Sequence, residues 1–214
     1  MTSSPSTKDL LTRLDGDNVK MGDIKKMAKE IKVNHESAME LWRSGHFHAR
    51  MLAVLIMDKK QLNQDIIHSL ARDLELMNED QRIRIADWLL ANQLTKNHST
   101  IALLQSWEKA EPPILRRLFW YYQARLRWMG KAPPGNSPEL MDSLEADLVN
   151  SEPEVQWAMN FAAAQIGIHE PAYRARCISL GETLGLYKDE RVSRGCTPNY
   201  LPEFIRIEVA KLSG

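Results

Sequence analysis

The chain has 214 residues, 43% hydrophobic and 26% charged, a composition typical of a folded protein and not of a disordered one. Basic and acidic residues number 28 each, so the formal net charge is zero, which disfavours nonspecific binding of nucleic acid over the whole surface. No apolar run approaches the roughly 20 residues of a membrane-spanning helix, and the first residues lack the apolar core of a secretory signal. We therefore expect a cytoplasmic protein with no membrane association.

Helical periodicity and helix-capping residues predict a series of α-helices. Residues 1–8 are predicted to be a flexible N-terminus, and residues 9–214 to be a single domain of helical repeats. The second helix shows the pattern clearly, because Ile24, Met27 and Ile31 recur at helical spacing with lysines on the opposite side. In chain order, the predicted helices cover residues 10–14, 24–31, 38–42, 47–57, 62–74, 80–94, 101–107, 112–128, 137–149, 153–168 and 171–184.

Two segments interrupt this helical pattern. Residues 130–138 are dense in glycine and proline and are predicted to form a loop. The tail, residues 193–205, is predicted to wrap over the last helix pair and to cover its apolar surface, as a terminal repeat requires. The side chains expected to do so are Tyr200, Leu201, Phe204 and Ile205. No stretch alternates apolar and polar residues long enough to predict a sheet, so the fold class is all-α.

Four helical segments share a pattern of residues that repeats along the chain. One column of their alignment contains Arg50, Arg84, Arg117 and Trp157. A second column, one helical turn later, contains Val54, Trp88, Tyr121 and Phe161. The offsets of 34, 33 and 40 residues are compatible with HEAT repeats, which are about 40 residues long. The alignment predicts a right-handed α-solenoid of HEAT-like repeats whose inner helices carry a basic row and an aromatic row.

The charges are segregated between neighbouring helices even though the total is zero. Residues 114–131 contain only basic charges, among them Arg116 and Arg117, whereas residues 139–154 contain only acidic ones. If the first segment lines the inside of the solenoid and the second its outside, the concave face is positive. The sequence leaves open which of the two adjacent arginines points inward.

The aromatic row has two interpretations. Trp88, Tyr121 and Phe161 at helical spacing are compatible with an ordinary hydrophobic core. However, Asn92 and Asn160 lie beside the same row, and amides are costly to bury without partners. A row that mixes aromatic, amide and guanidinium groups favours a cleft for flat or cationic ligands such as nucleobases.

Several classes of enzyme site are missing from the sequence. There is no phosphate-binding glycine loop, no dinucleotide-binding fingerprint, no nucleophile elbow and no zinc-protease motif. Cys177 and Cys196 are not paired at metal-ligand spacing, and the histidines are scattered. We therefore expect no metal and no cofactor. Periodicity alone favours a noncatalytic interaction module, the usual role of helical repeats.

Three parts of the sequence carry a resemblance to a known family: the helix around Trp88, the helix with Arg116 and Arg117, and the region that begins with residues 155–161 and extends to residue 204. They resemble the AlkD-like family of DNA alkylation-repair proteins, the bacterial HEAT-repeat DNA glycosylases. The resemblance begins near Ile24 and covers most of the chain. In that family a concave basic face binds duplex DNA, and a cleft of aromatic residues with one aspartate promotes loss of a cationic alkylated purine.

The resemblance assigns roles to individual residues of this chain. Trp88 matches the tryptophan of the family's Trp-Asp-x-x-Asp pattern, Arg117 matches an arginine that contacts the DNA backbone, and Phe161 replaces a second cleft tryptophan. The two aspartates of the pattern are Leu89 and Asn92 here. An amide supplies only a dipole beside a developing sugar cation and cannot act as a base.

These assignments imply a monomer that binds duplex DNA through its concave basic face and hydrolyses the N-glycosidic bond of cationic N-alkylated purines, with the activity weakened or lost. The implied catalytic residues are Asn92, Trp88 and Asp87, the last only if the cleft is rotated around the helix. The implied DNA contacts are Arg116, Arg117, Arg84 and Arg50. The implied lesion-facing residues are Trp88, Tyr121, Phe161 and Asn160. The alternatives are a noncatalytic relative that recognises DNA structure or damage, and a protein-interaction scaffold.

Overall fold

The computed structural model describes residues 6–16, 18–129 and 132–213. These residues form twelve α-helices and no strand. The helices are α1 Thr7–Leu14, α2 Met21–Ile31, α3 His35–Arg43, α4 Phe47–Ile56, α5 Gln64–Glu75, α6 Glu79–Asn92, α7 His98–Gln105, α8 Pro113–Trp128, α9 Ser137–Asp147, α10 Pro153–His169, α11 Pro171–Leu184 and α12 Leu201–Ser213. Within the described residues, no helix has both the length and the apolar character needed to span a bilayer.

Asparagine side chains begin several of the helices. The side-chain oxygen of Asn34 accepts a hydrogen bond from the backbone N–H of Ser37 at 3.1 Å, and that of Asn78 accepts one from Gln81 at 3.0 Å. Asn63 caps α5 in the same way. The first turn of a helix has N–H groups without intrahelical partners, and these caps satisfy some of them. Local sequence therefore determines where these helices begin.

The chain separates into two compact units, Met1–Ser106 and Trp107–Gly214. In the first unit, α4 is the central helix, since it contacts α2, α3 and α6. All residues from Ala49 to Val54 on α4 are buried. Helices α2, α4 and α6 form one layer, and α3 and α5 pair with α4 and α6 from the other side.

The second unit is organised around α10. This helix packs along α8 and also contacts α9, α11 and α12. Small buried residues, including Ala158, Ala162 and Gly167, allow neighbouring helices to approach it closely. Helices α8, α10 and α12 form one layer of this unit, and α9 and α11 contact each other and α10.

The prediction that the tail covers the last helix pair is confirmed. Helix α12 packs on α10 and α11, and it buries Leu201 and Ile205. The structure adds that residues 201–213 are helical, although the tail was predicted to interrupt the helical pattern. Pro202 lies in the first turn of α12. Proline is compatible with the first turn of a helix, where its missing N–H would have no intrahelical partner anyway.

Two predicted boundaries differ from the structure. Helix α1 begins at Thr7, capped by Ser6, within the segment predicted to be flexible. Residues 1–5 of that segment lie outside the described residues. Helix α9 begins at Ser137, inside the predicted loop 130–138, of which residues 130 and 131 are likewise not described.

Arg127 is the centre of a buried polar network in the second unit. Its side chain is fully buried, and its Nε donates to Glu170 Oε1 at 2.7 Å. The guanidinium also donates to the Gln123 carbonyl at 3.0 Å, to the Ser137 hydroxyl at 2.7 Å and to the Asn136 amide oxygen at 3.2 Å. Ser137 in turn donates to Glu170 Oε2 at 2.6 Å. The network ties the end of α8 to the start of α9 and to the junction of α10 with α11.

Gly181 on α11 lies against the beginning of α12, and replacing it should destabilise the second unit. A β-carbon there would lie 2.6 Å from Cδ of Pro202 and 2.8 Å from Cβ of Leu201. Neither atom is the end of a flexible side chain, so α12 would have to move. We expect Gly181→Ala to lower the free energy of unfolding by about 1–3 kcal/mol in urea denaturation.

The matched control is Gly22→Ala on α2, because no neighbouring atom lies within 4 Å of its added β-carbon. This substitution is expected to be neutral or slightly stabilising, since alanine is the better helix former. Equal destabilisation by both substitutions would contradict the close contact between α11 and α12.

Candidate nucleic-acid interface

Trp88 lies half-buried on α6, and its indole ring is held from two sides. The indole N–H donates to the Met51 carbonyl on α4 at 3.1 Å. The Nζ atom of Lys25 on α2 lies 5.5 Å from the centroid of the ring, a cation–π distance. The ring is therefore fixed by α4 and has a cation from α2 over it.

Asn92 lies one helical turn after Trp88 and is also half-buried. Its Nδ2 donates to the Trp88 carbonyl at 2.8 Å. Asp87, the other predicted catalytic side chain on α6, is half-buried, about 100° around the helix from Trp88, and has interaction partners within the protein. The position for which the resemblance implies a catalytic carboxylate thus holds an uncharged amide that donates to the helix backbone.

The exposed basic side chains around Trp88 come from α2 and α6. Lys25 and Lys29 are exposed and four residues apart, so they lie on one face of α2, and Lys32, also exposed, directly follows the end of the helix. These three residues are called here the lysine stripe. On α6, Arg84 is exposed, and its guanidinium lies 4.9 Å from the centroid of the Phe47 ring. The layer of α2, α4 and α6 therefore presents positive charge beside half-buried aromatic rings.

Arg50 does not belong to this surface. It is only 6% exposed, its Nε donates to the Trp42 carbonyl and its Nη1 to the Asp73 carbonyl, both at 3.1 Å. The guanidinium also lies 5.0 Å from the centroid of the Trp42 ring, and its burial lowers the pKa of Arg50. Arg50 thus connects α3, α4 and α5, and its burial argues against the predicted contact with DNA.

Arg116 and Arg117 are also engaged within the protein. Arg116 forms ion pairs with Glu111 and Glu152. Burial opposes the charged form, but the hydrogen bonds to Glu152 and Glu111 outweigh it and raise the pKa of Arg116. Arg117 is 2% exposed, with its guanidinium 5.3 Å from the centroid of the Tyr121 ring and 5.7 Å from that of Trp157. A phosphate would reach either guanidinium only if these neighbours moved, which argues against both predicted contacts.

The second unit contains a cluster of half-buried aromatic rings, called here the aromatic cluster. Its members are Tyr121, Trp128, Trp157, Phe161 and Phe204. Phe161 is at its centre: its ring stacks on Trp157 at 5.3 Å and 16°, and its centroid is 5.9 Å from that of Tyr121. Trp128 and Phe204 meet Phe161 edge-on. The structure thus brings together two of the predicted lesion-facing residues, Tyr121 and Phe161, whereas Trp88 belongs to the first unit.

Asn160 is not in the open part of this cluster. It is 5% exposed, and its Nδ2 donates to the Asn199 carbonyl at 2.9 Å. This bond attaches α10 to the segment before α12. It explains how the amide is buried at low cost, and it argues against a role for Asn160 in facing a lesion.

Sequence reasoning did not assign Lys25, Trp128 or Phe204 to a site. Lys25 appeared only as the polar side of an amphipathic helix, and no pattern within α2 indicates that it meets Trp88. A signal existed for Trp128, which follows Tyr121 by seven residues and so lies on the same helical face. Phe204 joins the cluster only because the tail folds back onto α10.

The thiols and carboxylates do not suggest a metal site. Cys177 is buried with its Sγ 3.5 Å from the Met141 sulfur, and burial raises the pKa of its thiol to about 12. In the part of the chain that the structure describes, no group of three or more His, Cys, Asp or Glu side chains has a metal-binding arrangement.

The fold is shared with a protein of known structure. A solved structure from "a new family of proteins related to the HEAT-like repeat DNA glycosylases with affinity for branched DNA structures" superposes with a TM-score of 0.64 at 18% sequence identity. The match covers 97% of this chain and 87% of that one. This likeness confirms the predicted all-α fold of HEAT-like helical repeats. Among curated proteins, none is significantly similar in sequence.

The sequence itself matches a family model over most of its length. The model for the DNA alkylation repair enzyme matches residues 18–179. The matched segment of this chain includes α2 through α10, and therefore Lys25, Trp88, Asn92 and most of the aromatic cluster. Because the match extends over well more than half of the sequence, this chain belongs to the DNA alkylation repair enzyme family.

Proposed function

We propose that the protein binds DNA in alkylation repair and does not itself cleave the bond between base and sugar. The observation that carries this proposal is the uncharged Asn92, which donates to the Trp88 carbonyl where the resemblance implies a catalytic carboxylate. Stabilisation of a developing sugar cation requires negative charge beside it, and a neutral amide acts only through a weaker dipole. Membership of the repair family supports the DNA-binding half of the proposal.

The lysine stripe is the proposed contact with the DNA backbone. Its side chains are exposed, in contrast to Arg50 and Arg117, and lysine ammonium groups bind phosphates as mobile point charges. Arg84 adds a further exposed cation on α6. This part of the proposal moves the backbone contact from the arginines of α4 and α8 to α2 and α6.

Branched or distorted DNA is the proposed preferred target. The zero net charge limits binding of ordinary duplex by charge alone, so specificity must come from other contacts. The half-buried rings of the aromatic cluster provide flat surfaces on which bases exposed at a branch can stack. The solved structure with the same fold belongs to proteins described as having affinity for branched DNA, which supports this choice.

Base release from alkylated DNA is the second candidate function. The resemblance matches Trp88, whose ring is half-buried, to a cleft tryptophan, and the family to which the chain belongs is that of a repair enzyme. This candidate requires a carboxylate other than residue 92. Release of methylated purine from alkylated DNA separates it from the first candidate.

Fluorescence anisotropy with a labelled four-way junction and a linear duplex of the same composition tests the binding proposal. We expect tighter binding of the junction, with an affinity that falls as salt rises. Replacing Lys25 and Lys29 by glutamine should reduce the slope of log affinity against log salt by about two, because each neutralised phosphate contributes about 0.9.

The control is the double substitution Lys59→Gln and Lys60→Gln, which removes the same charge from exposed positions after α4. It should leave the slope nearly unchanged. A reduction of equal size in both double variants would mean that the lysine stripe makes no specific backbone contact. No binding to either DNA by the natural protein would refute the proposed function itself and favour a protein-interaction scaffold.

A further inference from the structure

The segment between α11 and α12, residues 185–200, contains basic side chains that the protein leaves unpaired. It lies beyond residue 179, where the family match ends, and the proposed function assigns it no role. Lys188, Arg191 and Arg194 are exposed, and none of these three side chains forms an ion pair, a hydrogen bond or a ring contact with the described residues. Their charges are therefore available to a partner.

The other lysines and arginines that the structure describes in the second unit all have partners. Most of them pair with carboxylates: Lys109, Arg116, Arg127, Arg176, Arg206 and Lys211. The rest donate to backbone carbonyls or lie over aromatic rings: Arg174, Arg117 and Arg125. A cation that already has a carboxylate beside it gains less from an outside anion, because the two negative charges repel each other. The positive charge that the second unit can offer is thus concentrated in one connecting segment.

The two arginines of this segment lie on a defined turn. The backbone N–H of Cys196 donates to the Ser193 carbonyl at 3.0 Å, which closes a β-turn over residues 193–196. Gly195 has a φ of 88°, a conformation that favours glycine and that this turn requires at its third position. Arg194 is the other central residue and projects from the tip of the turn. A turn that is already formed binds a partner at a lower entropic cost than a flexible chain does.

Asn199 anchors the segment to the rest of the second unit. Its carbonyl accepts a hydrogen bond from Nδ2 of Asn160 on α10 at 2.9 Å, and its own Nδ2 donates to Glu190 Oε2 at 2.7 Å. Asn160 directly precedes Phe161, so the anchor lies on the helix that carries the centre of the aromatic cluster. Residues 191–200 contain no acidic residue. An anion that approaches this stretch therefore meets two arginines and no carboxylate from the stretch itself.

We propose that Arg191 and Arg194 bind phosphates of a DNA backbone, as a contact separate from the lysine stripe. A planar guanidinium donates two parallel hydrogen bonds to one phosphate, so arginine suits this partner well. An acidic protein would also attract arginines, but a protein interface needs an apolar centre. Within residues 185–200 the one large apolar side chain that is exposed is Val192, at 38%. The inference rests on the proposed function, because it takes DNA as the partner.

Fluorescence anisotropy with the labelled four-way junction tests this contact in the full-length protein. Replacing Arg191 and Arg194 together by glutamine should reduce the slope of log affinity against log salt by about two, since each neutralised phosphate contributes about 0.9. Replacing both by lysine keeps the charge and should keep the slope. Both double variants should fold normally, because neither side chain has a partner in the protein.

The matched control is the double substitution Arg206→Gln and Lys211→Gln on α12. It removes the same charge from exposed positions of the same unit, but both of these cations are paired with glutamates. The slope should therefore change little. A reduction of equal size in the control, or loss of the slope in the lysine variant, would overturn the assignment of Arg191 and Arg194 as phosphate contacts.

Digestion with trypsin, followed by mass spectrometry, locates the contact directly. Exposed loops are preferred cleavage sites, so the free protein should be cut after Arg191 and Arg194 and also after Lys59 and Lys60. A saturating amount of junction should abolish cleavage at the two arginines and leave the two lysine sites open. Polyglutamate at the same concentration of charge should not protect, and equal protection by it would overturn the inference in favour of an acidic protein partner.

The two experiments separate this inference from the proposed function. If the natural protein binds the junction while the arginine sites stay open to trypsin and the glutamine variant keeps its salt slope, the contact is wrong and the proposed function stands. If the natural protein binds no DNA, the proposed function itself is refuted, and this contact with it.

Discussion

DNA that carries cationic N-alkylated purines is expected to lose no more alkylated base in the presence of the natural protein than in buffer alone. An alkylated purine is a good leaving group, but its departure still leaves positive charge on the sugar. Stabilisation of that charge by one well-placed group typically changes a rate by about 100- to 1,000-fold. Asn92 has no charge to offer, and its N–H already donates to the Trp88 carbonyl.

The same experiment with Asn92→Asp tests whether the missing charge at position 92 explains the expected absence of base release. A carboxylate there lacks the donor for the Trp88 carbonyl and is repelled by that oxygen, so it should turn away from the helix backbone. We expect release of methylated purine to rise at least about tenfold above the buffer rate, the lower part of the range for electrostatic stabilisation. Asn92→Leu, which removes the dipole without adding charge, should stay at the buffer rate.

Base release by the natural protein would contradict this expectation, and Asp87→Asn would then identify the group responsible. If that substitution abolished the release, Asp87 would be the catalytic carboxylate in spite of its position around the helix. The readout is the released base itself, separated by chromatography, so DNA binding without chemistry does not register as activity.

Arg127→Met is expected to lower the free energy of unfolding by about 3–5 kcal/mol, the cost of breaking a buried ion pair from one side. The substitution leaves the Glu170 carboxylate, whose side chain is 14% exposed, without its cation. It also removes the hydrogen bonds that the guanidinium donates to Gln123, Asn136 and Ser137. Urea denaturation measures the loss.

The matched control for this prediction is Arg206→Met, which removes an Arg–Glu pair on the surface of the same unit. Arg206 and Glu182 are 61% and 54% exposed, so solvent screens their interaction and the expected loss is below about 1 kcal/mol. Similar losses in the two variants would mean that the Arg127 network contributes no more than a surface pair. The double substitution of Arg127 and Glu170 by methionine should recover much of the stability, since it leaves no buried charge.

The sequence predicted the helices well because their signals are local. Apolar residues at helical spacing define α2, and asparagine caps mark the starts of α3, α5 and α6. The same kind of signal placed Tyr121 and Phe161 on facing positions of their helices, and the structure brings their rings together. The start of α12 was missed because the prolines before and within its first turn look like breakers when their helical context is unknown.

The environment of each arginine was not predictable in this way. An arginine at a repeat position looks like a surface residue, yet Arg50 lies in the core because the Trp42 and Asp73 carbonyls on neighbouring helices accept its N–H groups. Arg117 and Arg127 are buried for comparable reasons, beside aromatic rings and opposite Glu170. Tyr121 follows Arg117 by one turn of α8, but the other partners lie on different helices or at their ends, so the periodicity of one helix does not reveal them.

The amino-acid sequence by itself determined the all-α fold and the helical repeats, since residue identity and spacing are properties of the chain alone. Tertiary structure decided which cations face solvent, that Lys25 lies over Trp88, and that Phe204 of α12 packs against Phe161. The physical reason is that exposure and hydrogen-bond satisfaction depend on which groups of other helices come within about 3 Å, and packing alone sets those distances.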